Sequence, residues 1–157
     1  MIDIAIVMGS NTDFSTMQHA SHILNELDIS HEIKILSVHR APEKVFRFAS
    51  RAKENGLKVI IAGAGGAAHL PGMIASLTTI PVLGVPVKSE FLDGLDSMLS
   101  ILQMPKGVPV ATFTVGRTGA KNAGLMAAAI LACSNKKIES KISQWRAKQT
   151  LSSSIGG

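Results

Sequence analysis

Five short apolar runs, each followed by a stretch of helical periodicity, constrain this chain more than any other feature. The runs are IAIVM (4–8), HEIKILS (31–37), KVIIAG (58–63), PVLGVPV (81–87) and PVATFTV (109–115). Between the first two, Phe14, Met17, Ala20, Leu24 and Leu27 recur three and four residues apart, as on one face of a helix. Pro42 and Glu43 open a second helix, and Gly56 closes it near residue 55. Further helices are expected around 67–77, 91–103 and 118–133. Strands that alternate with helices form a parallel sheet covered on both faces, and their near-continuous apolar runs fit burial on both sides. The expected fold is therefore α/β: a flavodoxin-like, three-layer α/β/α arrangement with a five-stranded parallel sheet in the order 2-1-3-4-5. A C-terminal helix follows it.

A chain of 157 residues is read as a single domain over 1–157, with its core at 3–133, a helix at about 135–149 and a frayed tail at 150–157. GVPV occurs at 84 and at 107, which reads as two similar strand contexts rather than a repeat. The segment AGLMAAAILA (123–132) is apolar nearly all round, which in a chain this small reads as a helix partly buried in a subunit contact. With hydrophobic residues at 46% and charged ones at 17%, a small chain of this kind is expected to associate, with the Trp145 helix packing on a neighbour.

The net charge of +5 raises the question of nucleic acid. Lys136, Lys137, Lys141, Arg146 and Lys148 against Glu139 put most of the excess on one C-terminal helix, without an aromatic stacking platform. No nucleic-acid partner is expected. A lone cysteine, Cys133, excludes an internal disulfide, and no Cys/His cluster has zinc spacing, so no metal is expected and a cytoplasmic location fits. The start MIDIAIVMGS lacks the cationic flank of a signal peptide. No apolar run reaches the roughly 18 residues of a membrane span, so no membrane partner is expected.

In an open α/β sheet, ligands bind outside the carboxyl ends of the strands, where the strand order reverses. Three such ends carry unusual chemistry: GSNTD after the first strand, SVHR after the second and GAGGAAHLPG after the third. GSNTD offers a glycine, the hydroxyls of Ser10 and Thr12, and a helix start suited to a phosphate. Asp13 either caps its own helix, worth about 1 kcal/mol, or accepts hydrogen bonds from sugar hydroxyls. Ser37 and Arg40 add a hydroxyl and a charged fork to the same anion, the alternative for Arg40 being a surface salt bridge. GAGGAA matches the dinucleotide pattern at Gly63, Gly65 and Ala68. It follows the third strand rather than the first, however, and the next strand ends without an acidic residue for a ribose. A wall of small residues against a flat ligand, with His69 at its rim, suits it better. His19, His22 and His31 read as structural; His39 and His69 fall in the inferred crevice. There is no hydrolase signature and no Walker lysine. What remains is a phosphate clamp, a small-residue wall and an imidazole able to move protons near neutral pH.

MGSNTD, SVHRAP, AGAGGAAHLPGM, PVLGVPV and LSILQMPKGVPVAT together resemble the bacterial (class I) 5-(carboxyamino)imidazole ribonucleotide mutases of purine biosynthesis, the PurE family. The resemblance runs from residue 3 to about 133. It implies a homo-octamer with active sites between subunits, and no metal, biotin, ATP or other cofactor. It also implies conversion of 5-(carboxyamino)imidazole ribonucleotide into 4-carboxy-5-aminoimidazole ribonucleotide. By the resemblance, Ser10, Thr12, Ser37 and Arg40 hold the 5′-phosphate, Asp13 holds the ribose, and His39 is the acid/base. Ala64, Gly65, Ala67, His69 and Leu70 then surround the imidazole and carboxylate.

Carbamates lose carbon dioxide readily, so a proton shuttle and a dry pocket would suffice for such a conversion. The common family pattern has Ser at Thr12, Ala at Val38, Thr at Ala41 and Gln at Lys88. Lys88 is read as lying outside the site motifs. Two rivals stand beside the mutase: an aminoimidazole ribonucleotide carboxylase, which has a different third loop, and a non-catalytic nucleotide-binding module.

Overall fold

The computed structural model describes residues 2–154. Five strands, β1 (Ile4–Met8), β2 (His31–Ile35), β3 (Val59–Gly65), β4 (Val82–Val87) and β5 (Ala111–Thr112), form one parallel sheet in the order β2-β1-β3-β4-β5. Among the described residues six α-helices surround it: α1 (Phe14–Glu26), α2 (Pro42–Arg51), α3 (Leu70–Leu77), α4 (Leu95–Leu102), α5 (Arg117–Ala132) and α6 (Lys136–Ser154). The flavodoxin-like strand order and the three layers follow the sequence reading.

The side-chain period of two sorts each central strand between two cores. Ile4, Ile6, Met8, Val59, Ile61, Leu83 and Val85 point to the side covered by α1 and α5. Ala5, Val7, Ile60, Ala62, Ala64 and Val82 point to the other side, where Val45 of α2, Ile74 of α3 and Ile101 of α4 pack. Both faces are dry, which is why these strands read as unbroken apolar runs. The edge strand β2 is different: Ile33 and Ile35 remain 40% and 48% exposed.

Several boundaries move from their expected places. β3 continues through the first half of the Gly-rich stretch, to Gly65 rather than 63. β5 keeps only two residues. α2 ends at Arg51, and turns lead to Gly56, whose φ of 85° needs a residue without Cβ. α3 begins only at Leu70, so Pro71 lies in its first turn, where its missing N–H is harmless. α4 starts at Leu95 after the left-handed pair Asp93 and Gly94.

The largest difference is at the C-terminus. α6 runs from Lys136 to Ser154, so residues 150–154 of the expected frayed tail are helical; residues 155–157 lie outside those described. α6 also has a home on its own chain. Ile138, Ile142 and Trp145 pack on the α1/α5 core, Trp145 Nε1 donates to Glu26 Oε2 at 2.8 Å, and Lys141 Nζ reaches Asp28 Oδ2 at 2.9 Å. The sheet, α1 and α6 cover much of the apolar α5, while Met126 stays 47% exposed on it. Gly124 lets α5 lie close against α1: a Cβ there would be 3.0 Å from the Ala20 carbonyl oxygen.

Candidate functional site

The strand order reverses between β1 and β3, and the register sets their ends level. Met8 pairs with Ile35 on one side and with Gly63 on the other. The segments that leave these ends meet around one cleft of about 550 Å³. Every residue expected to meet the ligand lines it: Ser10, Thr12, Asp13, Ser37, His39, Arg40, Ala64, Gly65, Ala67, His69 and Leu70.

After β1, Ser10 is extended (φ −150°) and caps a single tight turn, Asn11–Asp13, that leads into α1. Its hydroxyl oxygen accepts from the Thr12 N–H at 3.2 Å and lies 2.9 Å from the Thr12 hydroxyl. Asp13 returns the bond, accepting the Ser10 N–H at Oδ2 (3.2 Å), which completes a capping box. Asp13 thus closes the turn from its third position instead of capping α1, one of the two roles that sequence left open; as the residue before α1 it makes no side-chain cap. Burial pushes its carboxyl above the ordinary carboxylate range, against the pull of the Ser10 and Gly9 backbone.

After β2, the Ser37 hydroxyl accepts from the Arg40 backbone N–H (3.3 Å) and from Arg40 Nε (3.2 Å). Among the described residues no carboxylate pairs with Arg40, so the salt-bridge alternative is not realised. Its terminal guanidinium nitrogens are left for an outside acceptor. His39, at the tip of the same turn, brings Nε2 to 2.7 Å from Nδ1 of His69, the two rings set edge to face with centroids 4.9 Å apart. At that separation one nitrogen donates and the other accepts, so the two tautomers are coupled. Residues 39 and 69, one after β2 and one before α3, are thus joined by one hydrogen bond.

Ala64, Gly65, Gly66 and Ala67 make the wall beside it. Gly66 adopts φ 66°, a left-handed conformation that a side chain would strain. Gly63, the first glycine of the dinucleotide-like pattern, is not part of the lining. Its Cα faces Met17 of α1 so closely that a Cβ would strike the Met17 sulfur. That glycine serves helix-on-sheet packing.

Sequence reasoning considered three strand ends and missed the fourth. Gly65 pairs with Val87, so the residues after β4, Lys88 and Ser89, complete the rim. Lys88, outside the site motifs in the sequence, lines the cleft. Its ammonium sits 3.1 Å from Asp93, in an exposed pair. Ser89 donates to Asp96 at 2.6 Å and holds that carboxyl below its ordinary range. The strand order 2-1-3-4-5 could have found both, because it places the end of strand four next to that of strand three. Gly9, Val38 and Gly66 also line the cleft. Among the described residues, no group of three or more His, Cys, Asp or Glu side chains is arranged to hold a metal.

Comparison with known proteins adds an independent line. The family profile described as AIR carboxylase matches residues 3–152. The N5-carboxyaminoimidazole ribonucleotide mutase of Escherichia coli K12 is 55% identical over 147 residues, covering 94% of this chain and 87% of that protein. The proteins of the same name from Haemophilus influenzae (56% over 147 residues; 94% and 90% covered) and Bacillus subtilis (55% over 150 residues; 94% and 93%) are equally similar. Among solved structures, Treponema denticola PurE superposes with a TM-score of 0.87 at 24% identity, over 97% of this chain and 94% of that one. At that identity the match speaks for the fold.

Proposed function

This chain belongs to the AIR carboxylase family, and from that premise we propose how its cleft performs the mutase reaction of its relatives in purine biosynthesis. The chain is an isomerase that converts 5-(carboxyamino)imidazole ribonucleotide to 4-carboxy-5-aminoimidazole ribonucleotide. The family also contains carboxylases that use free carbon dioxide; the mutase reading is favoured because relatives at 55% identity over nearly the whole chain are named as mutases.

The observation that carries the mechanism is the imidazole pair of His39 and His69, set between a cluster of anion-binding groups and a wall of small residues. Ser10, Thr12, Ser37 and Arg40 hold the 5′-phosphate, and Asp13 the ribose. This leaves the flat ring against Ala64, Gly65, Ala67 and Leu70, with His39 and His69 over it. Protonated His39 gives its proton to the exocyclic nitrogen as the carbamate N–C bond breaks, releasing carbon dioxide into the pocket. The neighbouring ring carbon attacks it, and neutral His39 takes the proton from that carbon to restore aromaticity. One proton leaves His39 and one returns. No external base or carbon dioxide enters the balance.

Association follows the same reading. Leu95, Leu99 and Leu102 lie four and three residues apart on α4, and with Phe91 and Leu92 they form an exposed apolar ridge that starts two residues beyond the cleft-lining Ser89. A homo-octamer whose subunits complete one another's clefts accounts for this surface, and a cytoplasmic location suits the exposed free thiol of Cys133. Light scattering that gave a monomer at working concentration would refute the assembly.

His39→Asn tests the chemistry. It should leave ligand affinity nearly intact and lower kcat by at least the roughly 10²–10⁴ typical of a general acid–base group. Unchanged turnover would remove His39 from the mechanism and favour a binding module.

A further inference from the structure

One buried polar group near the cleft takes no part in the chemistry above. Ser97, on α4, is fully buried. Its hydroxyl donates to the Val87 carbonyl at 2.7 Å and accepts the Gly66 N–H at 2.9 Å. One oxygen thus joins the last residue of β4 to the loop after β3. A second α4 hydroxyl, Ser100, shares its one proton between the Asp96 carbonyl of its own helix (2.8 Å) and, as the weaker arm, the Gly66 carbonyl (3.3 Å). Gly66 has no side chain and sits in a left-handed conformation; a Cβ there would meet nothing within 4 Å. Side-chain packing therefore does not hold the loop at this point. Its backbone N–H and C=O are held by two serines of a helix that does not itself line the cleft.

We infer that Ser97 is a positioning residue, whose hydroxyl fixes the Ala64–Ala67 wall at the distance that keeps released carbon dioxide beside the ring. This inference rests on the mutase reading. Its chemical content is a partition. Once the carbamate N–C bond has broken and the nitrogen has taken the His39 proton, carbon dioxide either adds to the ring carbon or escapes, leaving the free amine. Escape consumes one proton from solution, to recharge His39, and yields aminoimidazole ribonucleotide plus carbon dioxide. A wall pinned at Gly66 favours addition. A wall freed there favours escape, without altering Ser10, Thr12, Ser37 or Arg40 at the far end of the ligand.

The test compares wild type, Ser97→Ala and Ser97→Thr, the last keeping the hydroxyl. Each is given the carbamate substrate in single turnover, and free amine and carboxylated product are quantified alongside product affinity and thermal midpoint. Ser97→Ala is expected to bind product nearly as wild type does and to lose roughly 10–10² in kcat, as a misplacement approaching 1 Å would cause. It should also raise the fraction of turnovers that end in free amine several-fold. Ser97→Thr should bring that fraction back toward wild type. If Ser97→Ala does not fold, Ser97→Cys, a close match in volume with a weaker acceptor, replaces it with the same expected direction. A wild-type partition in the alanine or cysteine variant would overturn the inference, as would leakage as great with threonine as with alanine, because a structural role lowers the thermal midpoint without changing the product ratio. The two readings fail separately: a wild type that does not convert the carbamate removes both, whereas an active wild type with an unaltered Ser97→Ala partition removes only this one.

Discussion

Replacing Gly63 by alanine separates packing from ligand binding at the one glycine that most resembles a dinucleotide motif. Gly63 lies in the middle of the sheet, paired with Met8 and Val85, and α1 crosses it through the fully buried Met17. An added Cβ would strike the Met17 sulfur and approach Cγ and Cε to 2.8 and 2.9 Å, so the thioether must leave its rotamer inside a filled core. Overpacking of this kind costs about 1–3 kcal/mol, and the lower unfolded-state entropy of alanine returns about 0.4–1, so the net loss centres near about 1.3 kcal/mol. Met17→Ala alone should cost about 2–5 kcal/mol through the cavity it leaves. In the double variant the new methyl enters the vacated space, and the combined loss should fall short of the sum by at least about 1 kcal/mol. Urea unfolding with a constant slope measures all three changes. Because Gly63 does not line the cleft, product affinity should stay put. A Gly63→Ala protein as stable as wild type, additive losses, or weakened product binding would each refute the packing assignment.

Arg40→Ala should weaken substrate or product binding by about 1.5–3 kcal/mol, the range of a charged hydrogen bond. Calorimetry with a phosphate-free analogue checks it, since an equal loss there would exclude a phosphate clamp. The Asp28–Lys141 pair gives a pH signature. The Lys141 hydrogen bond holds the Asp28 carboxyl below its ordinary 3.8, so its stabilisation is present above that value and fades as pH falls through the lower folded one. Asp28→Asn should therefore flatten the acid limb of a thermal-midpoint profile and leave the neutral region little changed, because Asp28 is largely exposed. An unaltered acid limb would show that α6 is not anchored there.

The sheet order and the convergence of three loops were legible in the sequence because the physics is local. Apolar runs stop at polar residues where the chain leaves the sheet, and those stops are the carboxyl ends. His39 and Arg40 could be placed because they follow the carboxyl end of the second strand, next to the point where the strand order reverses. Other features depend on distant partners. Nothing in LDSMLSIL distinguishes Ser97 from a solvent-facing helix serine until Gly66 and Val87 are brought beside it. Lys88 joined the rim through the β3–β4 register, a pairing that composition does not encode. The amphipathic pattern of α6 is weak, and its seat on α1 depends on Trp145 and Lys141 reaching Glu26 and Asp28, more than a hundred residues back. Asp13 was legible as a residue of the cleft with two roles open; the cap on α1 is not formed, and the reciprocal bond to the Ser10 N–H depends on a tight turn that GSNTD alone does not reveal.

The central claim is that one cleft moves a carboxylate within a single molecule, and carbon tracing tests it most directly. Wild-type enzyme is given unlabelled 5-(carboxyamino)imidazole ribonucleotide in a buffer of heavy-carbon bicarbonate, and the product carboxylate is read by mass spectrometry early in the time course. Direct transfer predicts light carbon in the product. Heavy carbon at the isotopic proportion of the bicarbonate pool would contradict the account.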